Sequence, residues 1–214
     1  MPLPRRLLLP LGLGVLFAVF FDSFVVYPFR LFVVFLHEAG HAFAAVLTGG
    51  RVVSIGLSAN EGGVCLTRGG WPFLILNAGY LGSLLFGALF LLLGARRRNA
   101  AQVVGAIGLF SVLAALVYVR TLFGFAYVLS AGVVLLFVAA RLGPRVSEVA
   151  LAAIGTMSAL YAVADIASDV IFRHSGASDA AALARLTGVP AVAWGVVWIA
   201  LSLAVLFAVL RRLS

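Results

Sequence analysis

The chain has no lysine, one cysteine and two methionines, and only 10% of its 214 residues are charged. Each scarcity excludes something. A single cysteine, Cys65, rules out a disulfide within the chain, and it reads as a small buried apolar residue. Soluble domains carry about 25% charged and about 45–50% apolar residues. Here 64% are hydrophobic, so a soluble fold is excluded. With lysine absent, the net charge of +8 comes from arginine alone. The arginines sit almost wholly at the ends of apolar runs, as interfacial anchors do. A nucleic-acid partner needs a clustered basic face with aromatic or polar readers. The densest cluster, Arg96, Arg97 and Arg98, is a short loop between apolar runs, so no nucleic acid is expected. The runs lack the alternating polarity of a transmembrane barrel. No small-x-small cleavage site follows the first of them, which is read as a retained span. No internal repeat of the kind that marks many secondary transporters is present.

What remains is long apolar helices. Seven segments, roughly 7–27, 29–48, 72–94, 100–119, 121–140, 148–172 and 190–210, are long enough to cross a hydrocarbon core of about 30 Å at about 1.5 Å per residue. The predicted fold is an all-α polytopic membrane protein, a bundle of six or seven transmembrane helices forming one domain over 1–214, with the lipid bilayer as its surroundings. Two connections are long. The first, 49–70, alternates like strands around Asn60, Glu61, Gly62 and Gly63, which predicts a β-hairpin. The second, 173–189, is polar, and Ser178-Asp179 before an alanine-rich run signals the N-cap of a short surface helix. If all seven segments cross, Arg5 and Arg6 fall on the opposite side from Arg96, and the positive-inside bias chooses no orientation.

The second segment carries His37-Glu38-Ala39-Gly40-His41. Residues four apart share a helix face, so the two imidazoles can present nitrogens to one ion. Glu38 then stands beside a metal-bound water as the general base of hydrolysis. With three histidines and three glutamates in the chain, chance gives this pattern on the order of once in a few thousand shuffles. The alternative, a neutralised polar knot holding helices together, has to bear the cost of three polar groups on one turn inside a span, which favours function.

A catalytic zinc takes three protein ligands, and the sixth segment offers Asp165 and Asp169, four residues apart. Either can complete the site; Asp165 lies deeper, while Asp169 can instead pair with Arg173 at i+4. His174 reads as an exposed loop side chain and Asp22 has no identifiable partner. Asn77 either packs between helices or orients a substrate carbonyl.

These residues resemble the site-2 protease family of intramembrane zinc metalloproteases, and more closely its compact branch found in bacteria, plants and fungi. The resemblance covers most of the chain. It rests on the helix from Phe35 to Ala42, on Thr48-Gly49-Gly50-Arg51, on Asn60 to Gly63, on Ala78 to Gly82, and on Asp165 to Asp169 followed by Ser178-Asp179. It implies one Zn2+ per chain held by His37, His41 and an aspartate, Glu38 as base, a membrane-associated β-structure after the motif helix, a membrane-protein substrate, and a multi-pass protein of a bacterial cell membrane. One departure stands out: the better-characterised proteases take the third ligand from an Asp-Gly pair, and neither Asp165 nor Asp169 precedes glycine. Two rivals accompany the protease reading: an inactive scaffold or binding protein retaining the fold, and a metal transporter using the same polar groups.

Overall fold

The computed structural model describes residues 5–171 and 178–214. Their order is α1 (Arg5–Val19), α2 (Tyr27–Leu47), β1 (Arg51–Leu57), β2 (Gly63–Arg68), α3 (Pro72–Gly94), α4 (Ala100–Tyr118), α5 (Leu122–Phe137), α6 (Gly143–Ile171), α7 (Asp179–Thr187) and α8 (Ala191–Leu213). Five stretches are long and apolar enough to cross a membrane, and the fourth, Leu122–Ala167, contains both α5 and α6. The fold is therefore all-α and polytopic, with one antiparallel hairpin after the motif helix.

The first segment departs from expectation. Its helix ends at Val19 rather than near residue 27, because Asp22 and Ser23 interrupt the apolar run and residues 20–26 turn. Asp22, 95% exposed at its side chain, finds the partner that the sequence did not show: Arg30 Nη1 lies 3.3 Å away. Its described part covers 15 residues and rises about 22 Å. The alternation of sides expected from seven full crossings fails. Arg6 and Arg96, expected on opposite sides, line one cavity together with Arg212.

Proline opens both α2 and α3, where its missing N–H costs nothing. The two helices cross at Gly40 and Gly82; a Cβ on Gly40 would overlap the carbonyl of Ala78. This close approach brings the histidine face of α2 against the start of α3.

The hairpin runs from Arg51↔Arg68 to Leu57↔Gly63, with a register shift between Val52 and Ser54. The outer edge of β1 is covered by the α4–α5 connection: Ile55 bridges Val119, and Arg120 N donates to Ile55 O at 3.0 Å. Its turn is tied down on two sides. Tyr27 Oη donates to Ala59 O at 2.6 Å, Arg30 Nη2 meets Glu61 Oε1 at 2.9 Å, and Tyr161 Oη donates to Glu61 Oε2 at 3.3 Å.

Helix α7 is capped as expected, Ser178 Oγ accepting from Ala181 N at 3.2 Å and Gly188 closing it in the left-handed conformation. It lies at the surface with Arg185, Leu186 and Thr187 exposed, and its other face turns inward. Ala180 and Leu183, three apart on one face, are fully buried with Tyr80, Ile166 and Trp198. Burying that face swings the first residue of α7 toward the motif helix.

Candidate metal centre

His37 and His41 lie one turn apart on α2, their rings 4.8 Å apart. Their Nε2 atoms converge on the same carboxylate oxygen, Asp179 Oδ2, at 3.0 and 3.1 Å. A ligand atom from each of the three residues lies within 4.8 Å of the others. A tetrahedral ion with bonds of about 2.0–2.1 Å holds its ligand atoms roughly 3.3 Å apart, close to the two Nε2–Oδ2 distances.

The donor set fits a cation. His41 Nδ1 is 2.7 Å from the carbonyl of Ile75. A carbonyl only accepts, so Nδ1 carries the proton, and in the neutral ring Nε2 is a bare lone pair. That lone pair faces a carboxylate oxygen, an arrangement that requires a proton or a metal ion between them. The Ile75 carbonyl thus fixes the tautomer that ligation needs. The imidazoles also act on Asp179. Burial pushes its pKa up, but the hydrogen bonds and charge of His37 and His41 outweigh this and hold it well below the usual carboxylate range, in the ligating form.

Space is reserved above the nitrogens. A Cβ on Gly79 of α3 would overlap His37 Nε2 and come within 2.6 Å of His41 Nε2. Only glycine leaves that position open. Tyr80 packs edge-on to His37, ring centroids 4.7 Å apart, and fixes its orientation from the side.

Glu38 is 5% exposed and opens on the same cavity, of about 630 Å³, as the three converging residues. The start of β2 lies directly on it, since a Cβ on Gly63 would meet the carboxylate. Glycine is therefore needed at Gly63, in the Asn60–Gly63 turn that the sequence marks. Val64, Cys65 and Thr67 of β2 continue along the cavity wall.

The remaining predicted residues fall as follows. Asp165 lines the same cavity, and Asp179 Oδ2 meets both imidazoles. The Asp169 side chain and His174 lie outside the described residues. Asn77 is held by packing partners: its Oδ1 accepts from Trp198 Nε1 at 2.8 Å and its Nδ2 donates to Phe73 O at 2.8 Å. Asp179 escaped sequence reasoning because it stands in a polar connection, where Ser178-Asp179 reads as a helix cap. The sixth apolar segment offers Asp165 and Asp169 for the same role. The signal was an acidic residue at the start of a short helix with an apolar face, since that face has to pack against the bundle.

Comparison with protein-family models gives a match to the Peptidase M50B-like family over residues 11–209. No curated protein and no solved structure matches the chain. The matched region holds the motif helix, the hairpin, Asp165 and Asp179 alike, nearly the whole chain, and the chain belongs to the Peptidase M50B-like family of site-2-protease-type membrane metalloproteases.

Proposed function

We propose that this protein is an intramembrane zinc metallopeptidase that hydrolyses a peptide bond in or near a transmembrane segment of its substrate. The observation that carries the reading is the convergence of His37 Nε2, His41 Nε2 and Asp179 Oδ2, with Glu38 opening on the same cavity. His37, His41 and Asp179 are the zinc ligands in this reading, and Asp165 stands beside them in the cavity wall. When bound, zinc supplies Lewis acidity, lowering the pKa of a bound water toward about 7 and polarising the scissile carbonyl.

The protein's own groups do the rest. Glu38 accepts the proton of the attacking water at a carboxylate oxygen and returns it to the departing amine nitrogen. The Ile75 carbonyl and the Tyr80 ring keep the imidazoles aimed throughout. A helical substrate has to unwind before its carbonyl is reachable, which leaves backbone groups unpaired in a dry site. β2 answers that need: β1 is its sole strand partner among the described residues, so its other edge can pair with an extended substrate where Val64, Cys65 and Thr67 line the cavity.

The test is zinc content and cleavage of single-span substrates by the purified full chain and its variants. Wild type is expected to bind one zinc. Glu38→Gln is expected to keep it and lose cleavage, while His37→Ala, His41→Ala and Asp179→Asn lose both and Asp165→Asn retains the metal. Full zinc in Asp179→Asn with none in Asp165→Asn would return the third-ligand role to Asp165. Cleavage undiminished in Glu38→Gln, or a metal-free wild type, would sink the enzymatic reading and favour the scaffold.

A further inference from the structure

A second cavity, of about 510 Å³, lies where α1 begins and α3 and α8 end. Arg6, Arg96 and Arg212 line it together with Leu89, Leu92 and Leu93, and no carboxylate does so among the described residues. Guanidinium groups stay charged at any physiological pH, so three like charges share one concavity. Packing beneath them leaves no choice: Leu7, Ala88, Leu91, Val209 and Leu213 form a separate apolar cluster that pulls the three helix ends together. Arg211, one residue earlier on α8, does not line the cavity; its guanidinium lies over the Phe207 ring, 5.7 Å from the centroid.

The cavity is two-sided in chemistry, with cationic groups from the helix ends and a leucine wall from the last turns of α3. Its volume falls within the range of about 300–1,000 Å³ usual for small-molecule sites. Basic pockets between transmembrane helices on one face of a bundle suit lipid phosphates, which arginine grips bidentately. A soluble phosphate would satisfy the arginines and leave the leucine wall unused. We propose that this cavity binds an anionic phospholipid, its phosphate between Arg6, Arg96 and Arg212 and an acyl chain along Leu89, Leu92 and Leu93. The lipid joins the short α1 to α8 at the end of the bundle remote from Gly79 and the histidines.

The proposal is tested on the full chain in detergent by native mass spectrometry, titrating phosphatidylglycerol and phosphatidylcholine separately, with glycerol 3-phosphate as a competitor. Wild type is expected to bind one phosphatidylglycerol at least about tenfold more tightly than phosphatidylcholine, with each arginine contributing about fivefold. Arg96→Gln and Arg212→Gln should each weaken the preference, the triple Arg6→Gln, Arg96→Gln, Arg212→Gln variant should abolish it, and Arg68→Gln in the hairpin should leave it intact. The single variants decide the matter if the triple variant does not fold. Equal binding of the two lipids, or a preference that survives these substitutions, would overturn the proposal. Displacement of phosphatidylglycerol by glycerol 3-phosphate would overturn the lipid assignment in favour of a soluble phosphate.

Discussion

The candidate metal centre depends on side chains too small or too quiet to announce themselves. Gly79 is one: Gly79→Ala places a methyl group against both Nε2 atoms, and zinc affinity should fall by about 10–100-fold, the usual penalty for disturbing what supports a ligand. Equilibrium dialysis against a zinc indicator measures it, and an unchanged affinity would show that the imidazoles can retreat. Asp179 has a pH signature in the metal-free protein. Its folded pKa lies below the unfolded value of about 3.9, so its stabilisation is fully present above about pH 4 and lost as pH falls through the folded value. The melting-temperature deficit of Asp179→Asn should therefore be constant near neutrality and disappear in strong acid. Cys65 is the inert counterpart. Burial, with the Glu38 charge adding to it, pushes its thiol up to about 12, which at pH 8.5 leaves roughly one thiol in three thousand ionised against about half for an ordinary cysteine. Maleimide labelling should be more than about a hundredfold slower than for a free thiol.

The hairpin and α7 are the elements that turn a histidine helix into a site. The hairpin turn is pinned by Arg30 and Tyr161 through Glu61, which itself adopts a left-handed φ of 64° that few side chains tolerate. Glu61→Gln weakens that ion pair, and limited proteolysis should then cut within 58–63 sooner than in wild type while zinc content holds. Proline at Cys65 removes an amide from β2, and cleavage of a single-span substrate should drop with zinc retained; unchanged turnover would rule out strand pairing as the mode of substrate binding. For α7 the anchor is the buried apolar face. Trp198 supports it from α8, held by Asn77, so Asn77→Ala should cost about 1–3 kcal/mol by leaving a buried indole N–H unpaired.

At the scale of the whole molecule, one end of the bundle gathers nine of the fifteen arginines, those at 5–6, 96–98, 141, 145 and 211–212. That end follows from the shared cavity of Arg6, Arg96 and Arg212 and from the contact of Gly94 with Leu151 near the start of α6. The positive-inside bias, silent when seven full crossings were assumed, now favours a cytoplasmic location for this end. A fluorescent-protein fusion after Ser214 should fluoresce and an alkaline phosphatase fusion at the same place should stay inactive; the reverse pair would invert the bundle.

Periodicity and composition were sufficient for the membrane class, the positions of most helices, a hairpin within 49–70 and the pairing of His37 with His41, because each depends on spacing within one segment. Segment length alone misjudged α1, where Asp22 ends the helix early, and with it the sides on which the arginines lie. The aspartate facing the two imidazoles was decided only by tertiary structure. Asp179 is 142 residues from His37, and what joins them is the burial of Ala180 and Leu183 against Tyr80 and Trp198, a packing contact that no local pattern encodes. The same holds for the arginine cavity: three helix ends distant in sequence meet because the leucines beneath them bury one another.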